Sequence, residues 1–151
     1  MIDHEFFVEL IVKEINENYF SKDLLIQSDL DIHQNPPRDE HIYIPGRNKP
    51  LTCIADVYAR DDIADPNLMI LGEAKTENDF NDDDSGRRDN QLDYYFNYLK
   101  YKQKGILIYA LPYNCLTLLN EIIEEKKKSW KADNVNCIIL TEMEHLILST
   151  S

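Results

Sequence analysis

The sequence predicts an α/β fold in which helices flank both faces of a central mixed β-sheet. Two observations carry this prediction. An amphipathic helical pattern at the N-terminus is followed by strand-like segments up to residue 76, and helical and strand-like patterns then alternate. Consecutive strands favour antiparallel pairing, whereas strand–helix–strand crossovers produce parallel neighbours. At 151 residues, the chain is expected to form a single domain, residues 1–151.

The first segment is predicted to be a helix with Asp3 as its N-cap. Its apolar residues recur at spacings of three and four, and they are Phe6, Phe7, Leu10, Ile11 and Ile15. The apolar face is centred near Phe7 and Ile11. Glu14 falls on this same face rather than on the solvated side. A carboxylate in that position either lies at the edge of the domain or belongs to a site.

Four segments between residues 24 and 76 have strand patterns. They are 24–33, a short piece at 42–44, 51–60 and 68–76. Turns are predicted at Asn35–Asp39 and at Asp65–Asn67, where proline clusters with asparagine and aspartate. The last strand is apolar almost without interruption up to Glu73, which is typical of a central strand covered on both faces.

The second half of the chain is predicted to alternate between helices and strands. A polar loop at 77–86 leads into a long helix, 87–104, that ends before Gly105. The remaining elements are a strand at 105–111, a helix at 116–130, a strand at 135–140 and a short extension at 145–150. The predicted order is therefore one helix and three strands, followed by helix, strand, helix and strand.

The net charge of −12 is unusual for a protein that grips nucleic acid through a basic face. The charge is unevenly distributed along the chain. Between residues 61 and 93 there are eleven acidic residues against three basic ones, whereas seven lysines lie between residues 100 and 131. A local positive patch is therefore compatible with the overall acidity.

Several classes of protein are disfavoured by the sequence. No apolar stretch approaches the roughly 20 residues of a membrane-spanning helix, and residues 1–5 lack the positive head and apolar centre of a signal peptide. Cys53, Cys115 and Cys137 are widely spaced, and the four histidines have no ligand spacing, so we expect neither disulfides nor a zinc site. A cytoplasmic protein without membrane partners is the expectation.

Three charged residues interrupt the two most strand-like segments. Asp56 lies in the strand 51–60, and Glu73 and Lys75 lie two apart in the next strand, on the same face. Two carboxylates suit Mg²⁺, with Mn²⁺ as a substitute, and the predicted ligands are Asp56, Glu73 and the carbonyl of Ala74. Lys75 is expected to orient or help deprotonate the attacking water. The alternative is a structural salt bridge between Lys75 and one of the carboxylates.

The segment from residue 51 to residue 111 resembles the core of the PD-(D/E)XK nuclease superfamily. It has a strand bearing Asp56, a strand ending in Glu73-Ala74-Lys75, a helix and an apolar strand in the same order. Ala55 stands where the superfamily often has proline, and the acidic segment 77–84 matches no motif of the family. The resemblance implies a restriction-endonuclease-like αβββαβ core with magnesium-dependent nuclease activity.

The helix after the predicted site contains a second motif. Its Gln91-Leu92-Asp93-Tyr94-Tyr95 is similar to the Gln-xxx-Tyr element of RecB-like exonuclease domains, and the segment also resembles the virus-type replication-repair nucleases. The resemblance implies that Gln91 and Tyr95 help to place the nucleic-acid strand or the metal's water. It also implies that an acidic residue of the first helix, Glu14, completes the metal site.

Two basic residues of the same helix are further candidates for the site. On the helical wheel Arg88 and Lys102 lie beside Gln91, and both are predicted to bind nucleic acid. A positive charge in the first helical turn is unfavourable for the helix dipole. A phosphate contact of Arg88 would offset this cost, and so would a salt bridge with Asp84.

Three functions follow from these features. The first is a metal-dependent nuclease that hydrolyses phosphodiester bonds, with DNA as the expected substrate. The second is a catalytically inactive nuclease-fold protein that acts as a binding or regulatory module for a basic protein partner, which the acidity favours. The third is a nuclease subunit whose DNA-binding surface comes from a homo-oligomer or a protein partner.

Overall fold

The computed structural model describes residues 3–19, 21–36, 41–42, 51–83 and 86–143. The strands in these ranges are β1 (Leu25–Ser28), β2 (His41–Ile42), β3 (Leu51–Thr52), β4 (Val57–Asp61), β5 (Asp65–Ala74), β6 (Lys104–Ala110) and β7 (Asn136–Leu140). The helices there are α1 (His4–Asn18), α2 (Glu77–Asn81), α3 (Arg87–Leu99) and α4 (Leu116–Trp130), with a 3₁₀ turn at Tyr113–Cys115. No helix within these ranges is both long and apolar enough to cross a membrane.

The main sheet has five strands in the order β1-β4-β5-β6-β7, and β2 and β3 form a separate antiparallel pair. The first three strands of that order are antiparallel neighbours, whereas β5, β6 and β7 run parallel to one another. The prediction of an α/β fold with a central mixed sheet is therefore confirmed. Parallel β5 and β6 end side by side, with Ala74 opposite Ala110.

Each face of the sheet is covered by helices, as predicted. Helix α1 covers one face, and its buried residues are Phe7, Val8, Ile11, Val12 and Ile15. Helices α3 and α4 pack on the other face through Leu92, Phe96 and Leu119, among others. Gly72 of β5 allows α1 to approach closely, because a Cβ atom there would lie 2.7 Å from Cγ2 of Ile11. The sheet is thus buried on both sides where β5 reaches its end.

The predicted strand at 51–60 is divided into two. Residues 51–52 pair with β2, β4 begins at Val57, and the intervening residues, including Asp56, lie outside any strand. The physical reason lies in the side chain of Asp56, whose Oδ2 accepts a hydrogen bond from the backbone N–H of Ala74 at 2.8 Å. Beyond the pair of Val57 and Gly72, β5 is therefore hydrogen-bonded to the side chain of Asp56 rather than to a backbone carbonyl of a longer β4.

Other boundaries differ from the predictions for local reasons. Strand β1 ends at Ser28, where the Ser28 hydroxyl accepts the N–H of Leu30 and starts a turn. The predicted loop at 77–86 contains the short helix α2, which is N-capped by Thr76 and anchored by buried Phe80. Helix α3 ends at Leu99 rather than at residue 104.

The later elements follow the predictions closely. Helix α4 spans the predicted residues 116–130, and β7 starts one residue after the predicted start. Strand β6 begins at Lys104 and passes close to the end of α3, since a Cβ on Gly105 would lie 2.6 Å from the carbonyl oxygen of Leu99. The predicted extension at 145–150 and the residues 43–44 of the short strand lie outside the described residues.

Candidate active site

A cleft of about 300 Å³ opens at the C-terminal end of β5. The start of α1, the end of β5, helix α2 and the first residue of α3 contribute to it. The lining residues are His4, Asp56, Glu73, Ala74, Lys75, Asn78, Asp79, Asp82 and Arg87. The cleft therefore contains the three charged residues that the sequence singled out, together with Ala74.

Asp56 is held by two partners on different elements. Its Oδ2 accepts the backbone N–H of Ala74 at 2.8 Å and lies 3.2 Å from Nε2 of His4. The hydrogen bond with Asp56 raises the pKa of His4 above its ordinary value, and nearby carboxylates add to this effect. Asp29 lies close as well, since one ligand atom each from His4, Asp29 and Asp56 fall within 4.8 Å of one another.

Glu73 is almost completely buried, with 3% of its side chain exposed. Its Oε2 accepts a hydrogen bond from the Tyr95 hydroxyl at 2.5 Å, and its Oε1 lies 3.5 Å from Nζ of Lys75. Burial, and then the negative charge of Asp56, raise the pKa of Glu73 from 4.5 to about 8, although Lys75 and Tyr95 act in the opposite direction. Lys75 directly follows the last residue of β5, and its side chain lies against that of Glu73, as expected from their spacing of two.

Gln91 and Tyr95 lie one helical turn apart on the buried side of α3. The Tyr95 hydroxyl donates to Glu73 and accepts a weak hydrogen bond from Sγ of Cys53 at 3.6 Å. Gln91 is 6% exposed, and its Oε1 has no hydrogen-bond partner among the described residues. A buried acceptor of this kind is costly to leave unpaired, so it is suited to receive a donor from a ligand or a water.

The structure does not bring Glu14, Arg88 or Lys102 into the cleft. Glu14 lies ten residues along α1 from His4, or about 15 Å along the helix axis. Lys102 lies beyond the end of α3, with its Nζ over the Tyr98 ring. Glu14 lies outside the cleft because α1 approaches the site with its first turn, whereas Glu14 lies in its third turn.

Arg88 is used to hold α3 against α2. Its Nη1 donates to the carbonyl oxygen of Phe80 at 2.8 Å, and its guanidinium lies over the Phe80 ring. Its Nη2 lies 3.6 Å from Oδ2 of Asp83. The expected salt-bridge partner, Asp84, lies outside the described residues. Arg88 therefore turns away from the cleft, and the neighbouring Arg87 lines it.

Sequence reasoning missed His4, Arg87 and the acids of α2 in the cleft. No spacing pattern connects His4 with Asp56, because the two residues lie on different elements far apart in the chain. Arg87 could have been found, since it precedes Gln91 by four residues and Tyr95 by eight and so lies on the same side of α3. Asp79 and Asp82 were assigned to a loop without a site.

The chemistry available in this cleft is that of several carboxylates beside two cations, of which Lys75 is buried and Arg87 is exposed. Asp56 and Glu73 supply oxygen ligands of the kind that Mg²⁺ prefers, and Lys75 and Arg87 supply positive charge. A scan of protein-family models, a search of curated proteins and a search of solved structures each find no match to this chain.

Proposed function

We propose that this protein is a magnesium-dependent nuclease that hydrolyses phosphodiester bonds of nucleic acid, with DNA as the expected substrate. We further propose that its sheet and helices form a restriction-endonuclease-like αβββαβ core. The proposal rests on the environment of Glu73. This carboxylate is buried beside Asp56 at the end of β5, and its pKa is raised to about 8. A cation bound beside Asp56 and Glu73 would stabilise the ionised forms of both carboxyl groups, because its charge offsets the burial of Glu73 and the repulsion between the two acids.

The oxygen donors of the cleft fit Mg²⁺. Asp56 and Glu73 supply carboxylates, and both line the same cleft as Ala74. The N–H and C=O groups of one strand residue face the same side, and the N–H of Ala74 faces Asp56. The carbonyl of Ala74 therefore faces Asp56 as well, which supports the proposal of Ala74 as a third ligand. When bound, Mg²⁺ would neutralise charge on the scissile phosphate and lower the pKa of a coordinated water.

The remaining residues of the cleft suit the hydrolysis of a phosphodiester. Lys75 has only 7% of its side chain exposed and lies against Glu73, so its ammonium group is fixed in the cleft. From there it would position the attacking water and balance the negative charge that develops on the phosphate. Neither Tyr95 nor Gln91 is among the lining residues, but Tyr95 fixes Glu73 through its hydroxyl, and the buried Oε1 of Gln91 would accept a hydrogen bond from a water.

An activity panel tests this proposal. Purified protein is incubated with single-stranded, duplex and branched DNA and with RNA, in the presence of Mg²⁺ or Mn²⁺ or of EDTA. We expect metal-dependent cleavage that falls by about 10²–10⁴-fold in Glu73→Ala and in Lys75→Ala. Glu124→Ala is the matched control, because Glu124 is an exposed carboxylate of α4. An absence of cleavage on all four substrates with both metals would contradict the proposal.

A second candidate is a binding or regulatory module with this fold and no activity. It is favoured by the pairing of both carboxylates with basic side chains of the chain itself, Asp56 with His4 and Glu73 with Lys75, and by the net charge of −12. Such a module would use its acidic surface to bind a basic protein. Calorimetry of Mg²⁺ binding separates the candidates, because the nuclease requires a metal bound through Asp56 and Glu73, and the module does not.

A further inference from the structure

Arg87 has an unusual environment for an arginine in an acidic protein. It is the first residue of α3 and an exposed member of the cleft lining. Asp79 and Asp82 line the same cleft, and yet Arg87 forms no ion pair with any residue that the structure describes. The adjacent Arg88 differs, since it is tied to Asp83 and to the Phe80 carbonyl.

The position of Arg87 on α3 carries an electrostatic cost. The N-terminus of a helix bears partial positive charge, so a cation in the first turn is disfavoured. The helix end is already paired within the chain, since Oδ1 of Asp83 accepts the backbone N–H of Arg88 at 2.7 Å. An anion bound beside Arg87 would therefore be attracted mainly by its guanidinium group, which forms no ion pair with the described residues. The planar fork of arginine matches the paired oxygens of phosphate and carboxylate groups, and phosphate is the anion that the proposed nuclease would receive in this cleft.

Arg87 also lies on the side of α3 that serves the cleft. Arg87, Gln91 and Tyr95 follow one another at intervals of four residues, and Tyr95 holds Glu73. Arg87 and Tyr95 are two turns apart, or about 12 Å along the axis. Arg87 therefore lines the cleft from the first turn of α3, whereas Tyr95 contacts Glu73 two turns further along the helix.

We infer that Arg87 binds a phosphate that flanks the reacting one on the same nucleic-acid strand. This inference rests on the proposed nuclease function and adds a residue that holds the strand. A contact to a flanking phosphate contributes equally to the bound substrate and to the transition state. Its loss should raise KM and leave kcat unchanged.

A binding assay tests the contact independently of catalysis. Fluorescence anisotropy of a short labelled oligodeoxythymidine is measured in EDTA for the wild type and for Arg87→Gln. We expect binding to weaken by about tenfold to a hundredfold, as for the loss of one charge-assisted hydrogen bond. The slope of log affinity against log salt should fall by about 0.7, the contribution of one phosphate contact on a single strand.

Two further variants sharpen the assay. Arg60→Gln changes the net charge equally and removes an exposed arginine that pairs with Asp62 away from the cleft, so it should retain wild-type affinity and slope. Arg87→Lys keeps the positive charge and loses the planar set of guanidinium donors. Its affinity for the oligonucleotide should therefore lie between those of the wild type and Arg87→Gln. Equal losses in Arg60→Gln and Arg87→Gln would overturn the inference, because net charge alone would then account for them.

Steady-state kinetics with Mg²⁺ distinguish this inference from the proposed function. A raised KM with unchanged kcat in Arg87→Gln supports the flanking contact. A lowered kcat with unchanged KM overturns it, because Arg87 would then act on the reacting phosphate. Cleavage that is unaffected by the substitution also overturns it and leaves the nuclease proposal standing. Arg87-dependent binding by a wild-type protein that cleaves nothing would refute the nuclease and support the phosphate contact.

Discussion

At the scale of single residues, Glu73 is the group whose chemistry depends most on the fold. Glu73 is buried. The hydrogen bond that it accepts from Tyr95 and its contact with Lys75 lower its pKa, but they do not offset the rise caused by burial and by the charge of Asp56. The sequence correctly predicted that the side chains of Glu73 and Lys75 lie together. It did not predict the tyrosine hydroxyl on Glu73 from physical reasoning, because that contact joins two distant elements.

The raised pKa of Glu73 predicts a specific dependence of stability on pH. A carboxyl whose pKa rises from 4.5 to about 8 on folding binds its proton more tightly in the folded state. Its contribution to stability is therefore largest below pH 4.5 and is lost as the pH rises toward about 8. In EDTA, the unfolding free energy of the wild type should fall relative to that of Glu73→Gln over this range, by a few kilocalories per mole.

Chemical unfolding at several pH values measures this difference. Glu124→Gln serves as the control, because Glu124 is exposed and its substitution should leave the pH dependence of the wild type unchanged. A gap between wild type and Glu73→Gln that stays constant across the range would mean that Glu73 is ionised throughout.

At the scale of elements, the contact between α1 and β5 both builds the core and assembles the site. Ile11 packs over Gly72 on the buried face of the sheet, and the first residue of α1, His4, reaches Asp56. The helical period of the sequence predicted α1 and its buried face. The end of α1 that meets the site depends on how the helix crosses the sheet, and Glu14 was therefore the wrong carboxylate to expect there.

Substitution of Gly72 tests this coupling between packing and site. A Cβ atom at this position would lie 2.7 Å from Cγ2 of Ile11 and 3.0 Å from Cβ of Val57. We expect Gly72→Ala to lower the unfolding free energy by about 1–3 kcal/mol through overpacking. Ile11→Ala removes the clashing methyl group, so the double variant should be less destabilised than the sum of the two single variants. Strict additivity in urea unfolding would contradict the contact.

At the scale of the whole molecule, the cleft at the C-terminal end of β5 is lined by more acidic than basic side chains. The acidic residues Asp79 and Asp82 lie in the cleft at the C-terminal end of β5, whereas Lys104 starts β6 at the opposite end. Several lysines at that end are occupied within the chain: Lys100 donates to the Trp130 carbonyl, and Lys104 pairs with Asp65. The acidity of the cleft is thus a local property of the site and suits a cation.

A metal bound at the cleft should stabilise the protein more than ionic strength does. At a Mg²⁺ concentration about a hundredfold above Kd, binding to the folded state alone adds about 2.7 kcal/mol to the unfolding free energy. Sodium chloride of equal ionic strength serves as the control for screening. The surplus should disappear in the variant Asp56→Asn/Glu73→Gln. Equal effects of the two salts on the wild type would argue against a metal site.

The sequence by itself determined the features that follow from short-range periodicity. Helices α1 and α4 follow from apolar spacings of three and four residues, β5 from an almost uninterrupted apolar run, and the contact of Glu73 with Lys75 from their spacing of two. Tertiary structure alone decided the break before β4 and the approach of His4 to Asp56. These outcomes depend on contacts between distant elements, and a local pattern contains no information about which element comes to lie beside it.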